Sequence, residues 1–155
     1  MRSNTEMSEQ ARLNCANAIS AVLADTYLLY LKTHNFHWNV EGDQFYTLHK
    51  LFEEQYRELW ASVDNLAERV RALGHPAPGT YAKFQAFSSI QDNEDIPAGA
   101  EMVRELIADN AAVARTIRSA LRTVQEAGDE ASASLLADRL AAHEKQIWMM
   151  RSMTD

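Results

Sequence analysis

Residues 37–68 read HWNVEGDQFYTLHKLFEEQYRELWASVDNLAE, and from Asp43 onward the apolar spacing predicts one long amphipathic helix. Five side chains in this stretch are of types that bind metal ions: His37, His49, Glu53, Asp64 and Glu68. Residues four apart lie one turn above each other on a helix, so the second and third of these form one pair and the last two form another. The stretch therefore predicts a helix that presents two pairs of potential metal ligands.

The two ligand pairs share one stripe of the helix but are too far apart to share an ion. Asp64 follows Glu53 by eleven residues. On an α-helix this step is a rotation of about 20° beyond three full turns and a rise of ~16 Å. Donor atoms must come within roughly 2.0–2.6 Å of an ion. Either each pair completes a separate site with other helices of its own chain, or two copies of the helix meet antiparallel about a two-fold axis. Tyr56 and Trp60 lie between the pairs on nearly the same face, and such aromatic residues at an interface centre favour the second arrangement.

A single pair of this kind lies more often on the solvated face of an acidic helix than in a metal site. Metal binding is favoured here because two pairs share one stripe, aromatic residues lie between them, and His-Trp stands at 37–38. The ordinary intrachain di-iron bundle carries Glu-x-x-His on two of its helices. The residues three before the five histidines include no glutamate; they are Leu31, His34, Tyr46, Ala72 and Leu140. The sequence therefore favours ligands shared between two chains.

This pattern resembles that of the Dps proteins, the small ferritin-like iron-storage and DNA-protection proteins of bacteria. The family's His-Trp-Asn-Val sequence and its spaced ligands are matched here by His37, His49, Glu53, Asp64 and Glu68, followed by an arginine as in the family's Ala-Glu-Arg. The likeness extends over nearly the whole chain, including PAPGTYAKFQAF at 76–87 and HEKQIWMMRS at 143–152. Glu53 stands where many members have Asp, which keeps the carboxylate but lengthens its reach by one methylene.

The resemblance implies a ferroxidase that oxidises Fe(II) with hydrogen peroxide in preference to dioxygen and stores ferric iron in a hollow shell of twelve subunits. It also implies centres at a dimer interface, with the two histidines and Glu53 from one subunit and Asp64 and Glu68 from its partner. Imidazole and carboxylate ligands suit ferrous iron, with Zn, Mn or Co as competitors. Trp38 and Trp60 could intercept a stray one-electron oxidant, although interface packing explains Trp38 equally well.

The resemblance further implies pores through the shell, lined by acids near the start of the fourth helix. Candidates here are Asp129, Glu130 and Asp138. Where many members have Thr-Ala-Asp, residues 132–134 read Ser-Ala-Ser. One expected acid is therefore missing, and a helix cap is the simpler explanation of Asp129.

The remaining histidines and the single cysteine have other interpretations. His34 is expected to support His37 or its access path, although the two could bind a metal together. His75 lies in a Gly-Pro turn, where a solvated side chain is expected, and His143 is predicted to be a structural histidine. Cys15 is the only cysteine, so no intrachain disulfide can form; a buried thiol in a reducing compartment is expected.

Long helices separated by Gly and Pro predict an all-α fold: a ferritin-like four-helix bundle in one domain, 1–155, with a short flexible tail at 1–7. The predicted helices run from Ser8 to Phe36, from a cap at Asp43 to Gly74, from Pro97 to Ala127, and from a cap at Asp129 to about Met150. Residues 80–96 are predicted to be a long connection containing a short helical turn, as in a crossover between parallel neighbours.

Composition limits the partners. The chain has no apolar run of eighteen residues and no signal pattern, so a soluble cytoplasmic protein without a membrane contact is expected. A net charge of −7 and a tail, MRSNTEMSEQAR, that lacks lysine argue against direct DNA binding. A DNA-binding nucleoid-protection protein, in which iron sequestration is secondary, is nevertheless the alternative function. A metal-binding or structural bundle without turnover is a third class.

Overall fold

Four long helices and one short helix make up the regular structure of the protein, for which a computed structural model describes residues 3–154. In chain order the helices are α1 Glu9–Asn39, α2 Phe45–Ala72, α3 Tyr81–Phe87, α4 Gly99–Glu126 and α5 Glu130–Thr154. α1 packs against α2 and α4, α5 packs against α4, and α3 lies against α1. The predicted all-α four-helix bundle, with a short helix in the connection between its second and third long helices, is confirmed.

Local sequence signals set several of the helix ends. Ser8 caps α1, its hydroxyl accepting a hydrogen bond of 3.2 Å from a backbone N–H of the first turn. Asp129 caps α5 as predicted, its carboxylate accepting a hydrogen bond of 3.1 Å from the backbone N–H of Ser132. Gly74 and Gly128 follow α2 and α4 with φ of +91° and +70°. Glycine adopts this left-handed backbone conformation without strain, so both helices end where a glycine allows the chain to turn.

The predicted start of α2 is wrong by one residue. Gln44, not Asp43, is the N-cap, and its side chain makes no capping hydrogen bond. Gly42 adopts φ +101°, and its carbonyl oxygen accepts a hydrogen bond of 3.0 Å from the N–H of Phe45. The chain from Gly42 to Phe45 is therefore a closed turn, and Asp43 lies inside that turn rather than at a helix cap.

The predicted start of α4 at Pro97 is also wrong. Ala98 is still extended, with ψ of 154°, and the helix begins at Gly99. Gly99 packs so closely on α2 that a Cβ atom at this position would lie 2.8 Å from Cδ1 of Leu48. The helix thus begins where the chain comes into contact with α2.

α1 and α5 each run about one turn beyond their predicted ends. α1 ends at Asn39 instead of Phe36, which places His37 on a helix, and α5 ends at Thr154 instead of Met150. Within residues 3–154, no helix is long and apolar enough to cross a lipid bilayer. The predicted tail, 1–7, lies partly outside the described residues.

The core is a continuous apolar cluster along the bundle axis. Its largest fully buried side chains are Phe36, Phe52, Ile19, Leu23, Leu29, Leu66, Leu73, Met102, Leu106, Ile117, Leu136 and Met150. Cys15 is completely buried, as predicted, and burial raises the pKa of its thiol. α3 is attached to this core through Phe84, whose ring stacks on that of Tyr27 with centroids 4.8 Å apart.

Candidate metal centre

The rings of His37, in the last turn of α1, and His49, early in α2, stack with centroids 3.8 Å apart and planes inclined by 15°. Nδ1 of each ring lies 2.7 Å from the backbone carbonyl oxygen of the other residue. A carbonyl oxygen only accepts hydrogen bonds, so each Nδ1 carries its proton. In the neutral rings the lone pair is then on Nε2. The turn between the helices therefore fixes two imidazoles in the tautomer that binds a metal through Nε2.

The other histidines near this pair have different surroundings. His34 packs between two aromatic rings, with centroid distances of 3.9 Å to Trp38 and 4.0 Å to Tyr56. Burial, and after it the neighbouring His37, lowers the pKa of His34. The lowered pKa favours the neutral form of the His34 ring. His75, expected to be solvated, is half-buried in the turn after α2.

The predicted carboxylate ligands do not join the histidines within one chain. Glu53 lies one turn after His49, and its carboxylate is 4.0 Å from the guanidinium of Arg57. Asp64 and Glu68 lie further along α2 and are exposed. Among residues 3–154, no three side chains of His, Cys, Asp or Glu converge closely enough to hold a metal ion. The isolated chain therefore brings together two of the five predicted ligands.

A partly exposed aromatic surface, formed by Tyr30, Trp38, Tyr56 and Trp60 and here called the aromatic face, lies beside the histidines on α1 and α2. Tyr30 contacts Trp60 and Tyr56 with ring centroids 5.2 Å and 6.2 Å apart. Trp38 and Trp60 are 60% and 56% exposed, whereas the two tyrosines are half-buried. Contiguous exposed aromatic side chains mark interaction surfaces, and Tyr and Trp are enriched at interface centres. The aromatic face thus has the character of a subunit contact.

The acidic end of α2 is fixed to the start of α5 by Arg69. Its Nη2 lies 2.7 Å from Oδ1 of Asp129, and its Nε donates a hydrogen bond of 2.8 Å to the hydroxyl of Ser132. Asp129 is only 5% exposed, so the carboxylate expected at a pore is paired inside the chain. Glu130 and Asp138, the other acids expected there, are exposed.

Sequence patterns did not reveal a second polar group, which lies inside the bundle around His143. Nδ1 of this buried ring donates a hydrogen bond of 2.8 Å to Asn110, and Nε2 lies 3.2 Å from Nη2 of Arg139. Burial, and after it the charge of Arg139, lowers the pKa of His143 to about 3. The predicted structural histidine is therefore neutral and fully hydrogen-bonded. Arg139 in turn pairs with Glu58 of α2, a contact that no sequence spacing indicates.

The chain is similar in sequence and structure to known ferritin-like proteins. The family profile of the ferritin-like domain matches residues 16–155. A DNA protection during starvation protein of Brevibacillus brevis is 38% identical over 133 residues, which are 86% of this chain and 89% of that protein. The crystal structure of a Dps protein from Bacillus brevis is 35% identical and superimposes with a TM-score of 0.92 over 96% of this chain and 100% of that one. A DPS protein from Vibrio cholerae O1, described as belonging to a broad superfamily of ferritin-like diiron-carboxylate proteins, is 28% identical with a TM-score of 0.94 over 100% of this chain and 98% of that one.

Proposed function

Because the chain belongs to the Dps family of ferritin-like proteins, we propose that it is an iron-storage and detoxification ferroxidase whose centres lie between two subunits. The family's general functions are iron storage with ferroxidase activity and the protection of DNA. In this proposal the substrate is Fe(II), the preferred oxidant is hydrogen peroxide, and ferric iron is stored in a hollow cytoplasmic shell of twelve chains. Zn and Mn compete with iron for the same ligands.

The observation that carries this proposal is the His37–His49 pair. Two histidines whose protons are both held by backbone carbonyls leave both Nε2 lone pairs free for a metal. The remaining ligands must come from elsewhere, because no third histidine, cysteine or carboxylate joins them among residues 3–154. Glu53 reaches the centre by rotating away from Arg57, and its half-exposed side chain has the freedom to do so.

A two-fold dimer formed through the aromatic face supplies the missing carboxylates. When two copies of α2 lie antiparallel, Asp64 and Glu68 of one chain come opposite His49 of the other, and symmetry creates two such centres. The position of the aromatic residues between the two ligand pairs supports this arrangement. Each centre then combines imidazoles and carboxylates, a ligand set suited to ferrous iron.

Peroxide chemistry at such a centre consumes both Fenton reagents. Two Fe(II) ions give up one electron each, and hydrogen peroxide accepts both electrons with two protons and becomes two molecules of water. No hydroxyl radical is released when the two electrons arrive together. Trp38, whose ring packs on His34 beside His37, is placed to donate an electron to any one-electron oxidant that escapes.

Mixed particles test the proposal most directly. We expect His49→Ala and Asp64→Ala each to abolish rapid Fe(II) oxidation in particles made of one variant. When the two variants are unfolded together and reassembled, half of the dimers pair one variant with the other, and each mixed dimer regains one intact centre of two. About a quarter of the wild-type oxidation rate should return. If the reassembled mixture stays inactive while wild-type protein recovers through the same treatment, the ligands are not shared between chains.

The other two function classes give different results. A DNA-binding protector would retard supercoiled plasmid at neutral pH and physiological salt in its metal-free form, a result that we do not expect from a chain of net charge −7. A metal-binding bundle without turnover would take up Fe(II) under anaerobic conditions but show no ferric absorbance after half an equivalent of peroxide. Prompt ferric absorbance is the expected result.

A further inference from the structure

Arg139, on α5, is surrounded inside the bundle by groups of the kind that bind metal ions. Its Nη2 lies 2.9 Å from Oε1 of Glu58 and 3.2 Å from Nε2 of His143. Its Nη1 contacts the second carboxylate oxygen of Glu58. A carboxylate and an imidazole therefore converge on one positive charge, and that charge is only 5% exposed.

The tautomer of His143 is fixed by its neighbours. Asn110 donates a hydrogen bond of 2.8 Å from its side-chain amide to the carbonyl of Leu106, which turns its own oxygen toward Nδ1 of His143. That oxygen can only accept, so the proton is on Nδ1 and the lone pair on Nε2 faces Arg139. This is the tautomer that His37 and His49 adopt, with the difference that here the lone pair already meets a cation.

The group also lies in a part of the fold that can hold a metal. The group joins α2, α4 and α5 in the bundle interior, where ferritin-like di-iron proteins hold their metals with carboxylates and histidines from facing helices. Gln55 and Gln146 lie next to it, hydrogen-bonded to each other at 3.0 Å, and line a cavity of about 10 Å³ together with His143 and Asn110. The site thus has further oxygen donors and room for about one water molecule.

We propose that Arg139 occupies a divalent-metal site formed by Glu58 and His143, and that its guanidinium keeps the interior of the bundle free of metal. The class of ion excluded is a transition metal that accepts mixed nitrogen and oxygen ligands, such as Fe(II), Co(II) or Zn(II). The resident positive charge neutralises Glu58 and occupies the lone pair of His143. Metal is therefore confined to the other histidines of the chain, at the end of α1 and the start of α2.

Two further observations fit this role better than a purely stabilising one. Nε of Arg139 is buried and has no hydrogen-bond partner among the described residues, so the pocket does not satisfy a guanidinium completely. The side chain of Glu58 is 41% exposed, whereas that of Arg139 is 6% exposed. Glu58 therefore connects the interior to solvent and gives an ion a route to His143 once the guanidinium is removed.

The test uses full-length protein in which His49→Ala and Asp64→Ala have removed the proposed interface centre, so its result does not depend on the proposed function. Binding of Co(II) is measured by titration calorimetry and by the visible absorption of the bound ion. We expect Arg139→Ala in this background to gain one Co(II) per chain, and the parent and Arg139→Lys to bind none at the same concentration. Adding Glu58→Gln to Arg139→Ala should remove the new site.

A second variant covers the risk that Arg139→Ala does not fold. Arg139→Met keeps an unbranched side chain of similar length without the charge, and its helical content is followed by circular dichroism. If either neutral variant requires Co(II) to regain wild-type helicity, the metal is replacing the guanidinium and the proposal holds. If a folded neutral variant binds no more Co(II) than the parent, or if both neutral variants are unfolded and Co(II) restores neither, the proposal is wrong.

Discussion

The guanidinium of Arg69 and the carboxylate of Asp129, 2.7 Å apart and sixty residues apart in the chain, fasten the end of α2 to the start of α5. The contact is largely removed from water, since the side chains are 19% and 3% exposed. The same carboxylate accepts hydrogen bonds from Ser132, so it caps α5 and pairs with α2 at once. Arg69 directly follows Glu68, so this contact fixes the backbone next to one of the predicted acidic ligands.

We therefore expect Asp129→Ala to lower the free energy of unfolding by about 3 kcal/mol, because it leaves a largely buried guanidinium unpaired and removes a helix cap. Chemical denaturation followed by circular dichroism measures the change. Asp138→Ala is the matched control, an exposed acid on the same helix, and it should change stability by less than about 0.5 kcal/mol. Equal effects of the two substitutions would contradict the assigned role of Asp129.

The connection between α2 and α4 depends on one buried carboxylate. Asp25, completely buried on α1, accepts hydrogen bonds of 2.7–2.9 Å from the hydroxyls of Ser88, Ser89 and Thr116 and from the backbone N–H of Ser89. We expect Asp25→Ala to expose residues 88–96 to proteases, since the segment loses the acceptor that holds its start. Limited proteolysis with mass analysis of the fragments locates the cleavage. Asp92→Ala, on the exposed part of the same segment, should leave the cleavage rate unchanged, and accelerated cleavage in both variants would contradict this role.

Local chemistry made much of the fold predictable. Asp129 was identified as a cap because a short polar side chain before an apolar-periodic run satisfies free N–H groups. The start of α2 was misplaced because the positive φ of Gly42 draws Asp43 and Gln44 into a turn, and glycine in a sequence does not reveal which conformation it adopts.

The candidate centre was predictable as a set of residue types but not as a geometry. His37 and His49 are twelve residues apart on two helices, and their reciprocal hydrogen bonds depend on the angle of the intervening turn. The contact of Arg139 with Glu58 spans 81 residues. No periodicity within one helix predicts such a contact, because it depends on the rotation of one helix against another in the packed bundle.

The buried His143 makes stability depend on pH. Its pKa in the folded protein is about 3, below the value of about 6.5 in an unfolded chain, so the unfolded state binds the additional proton between these values. The contribution of the neutral His143 ring to the free energy of unfolding is complete above about pH 6.5 and is lost as the pH falls toward 3. The charged group in contact with the ring is Arg139, whose own partner is Glu58, and the other polar groups around it are the uncharged Asn110, Thr33, Gln55 and Gln146. We expect His143→Gln to show a flatter loss of unfolding free energy between pH 6.5 and pH 4, measured by denaturant titration. Parallel curves for variant and wild type would show that other groups set the acid dependence.

The aromatic face provides the last prediction, because the proposed centre exists only in a dimer formed through it. Trp60→Glu places a charge at the centre of this face, and we expect the particle to dissociate to monomers with a loss of Fe(II) oxidation of at least about 100-fold, since burying an unpaired carboxylate costs several kcal/mol. Light scattering gives the mass, and circular dichroism shows whether the chain keeps its helices. Trp148→Glu is the matched control: Trp148 is 66% exposed, compared with 56% for Trp60, and lines a groove between α4 and α5, the helices that do not form the aromatic face. The Trp148 variant should oxidise Fe(II) at the wild-type rate per dimer even if the larger shell is lost. A helical Trp60→Glu monomer that still oxidises Fe(II) rapidly would show that the centre is complete within one chain.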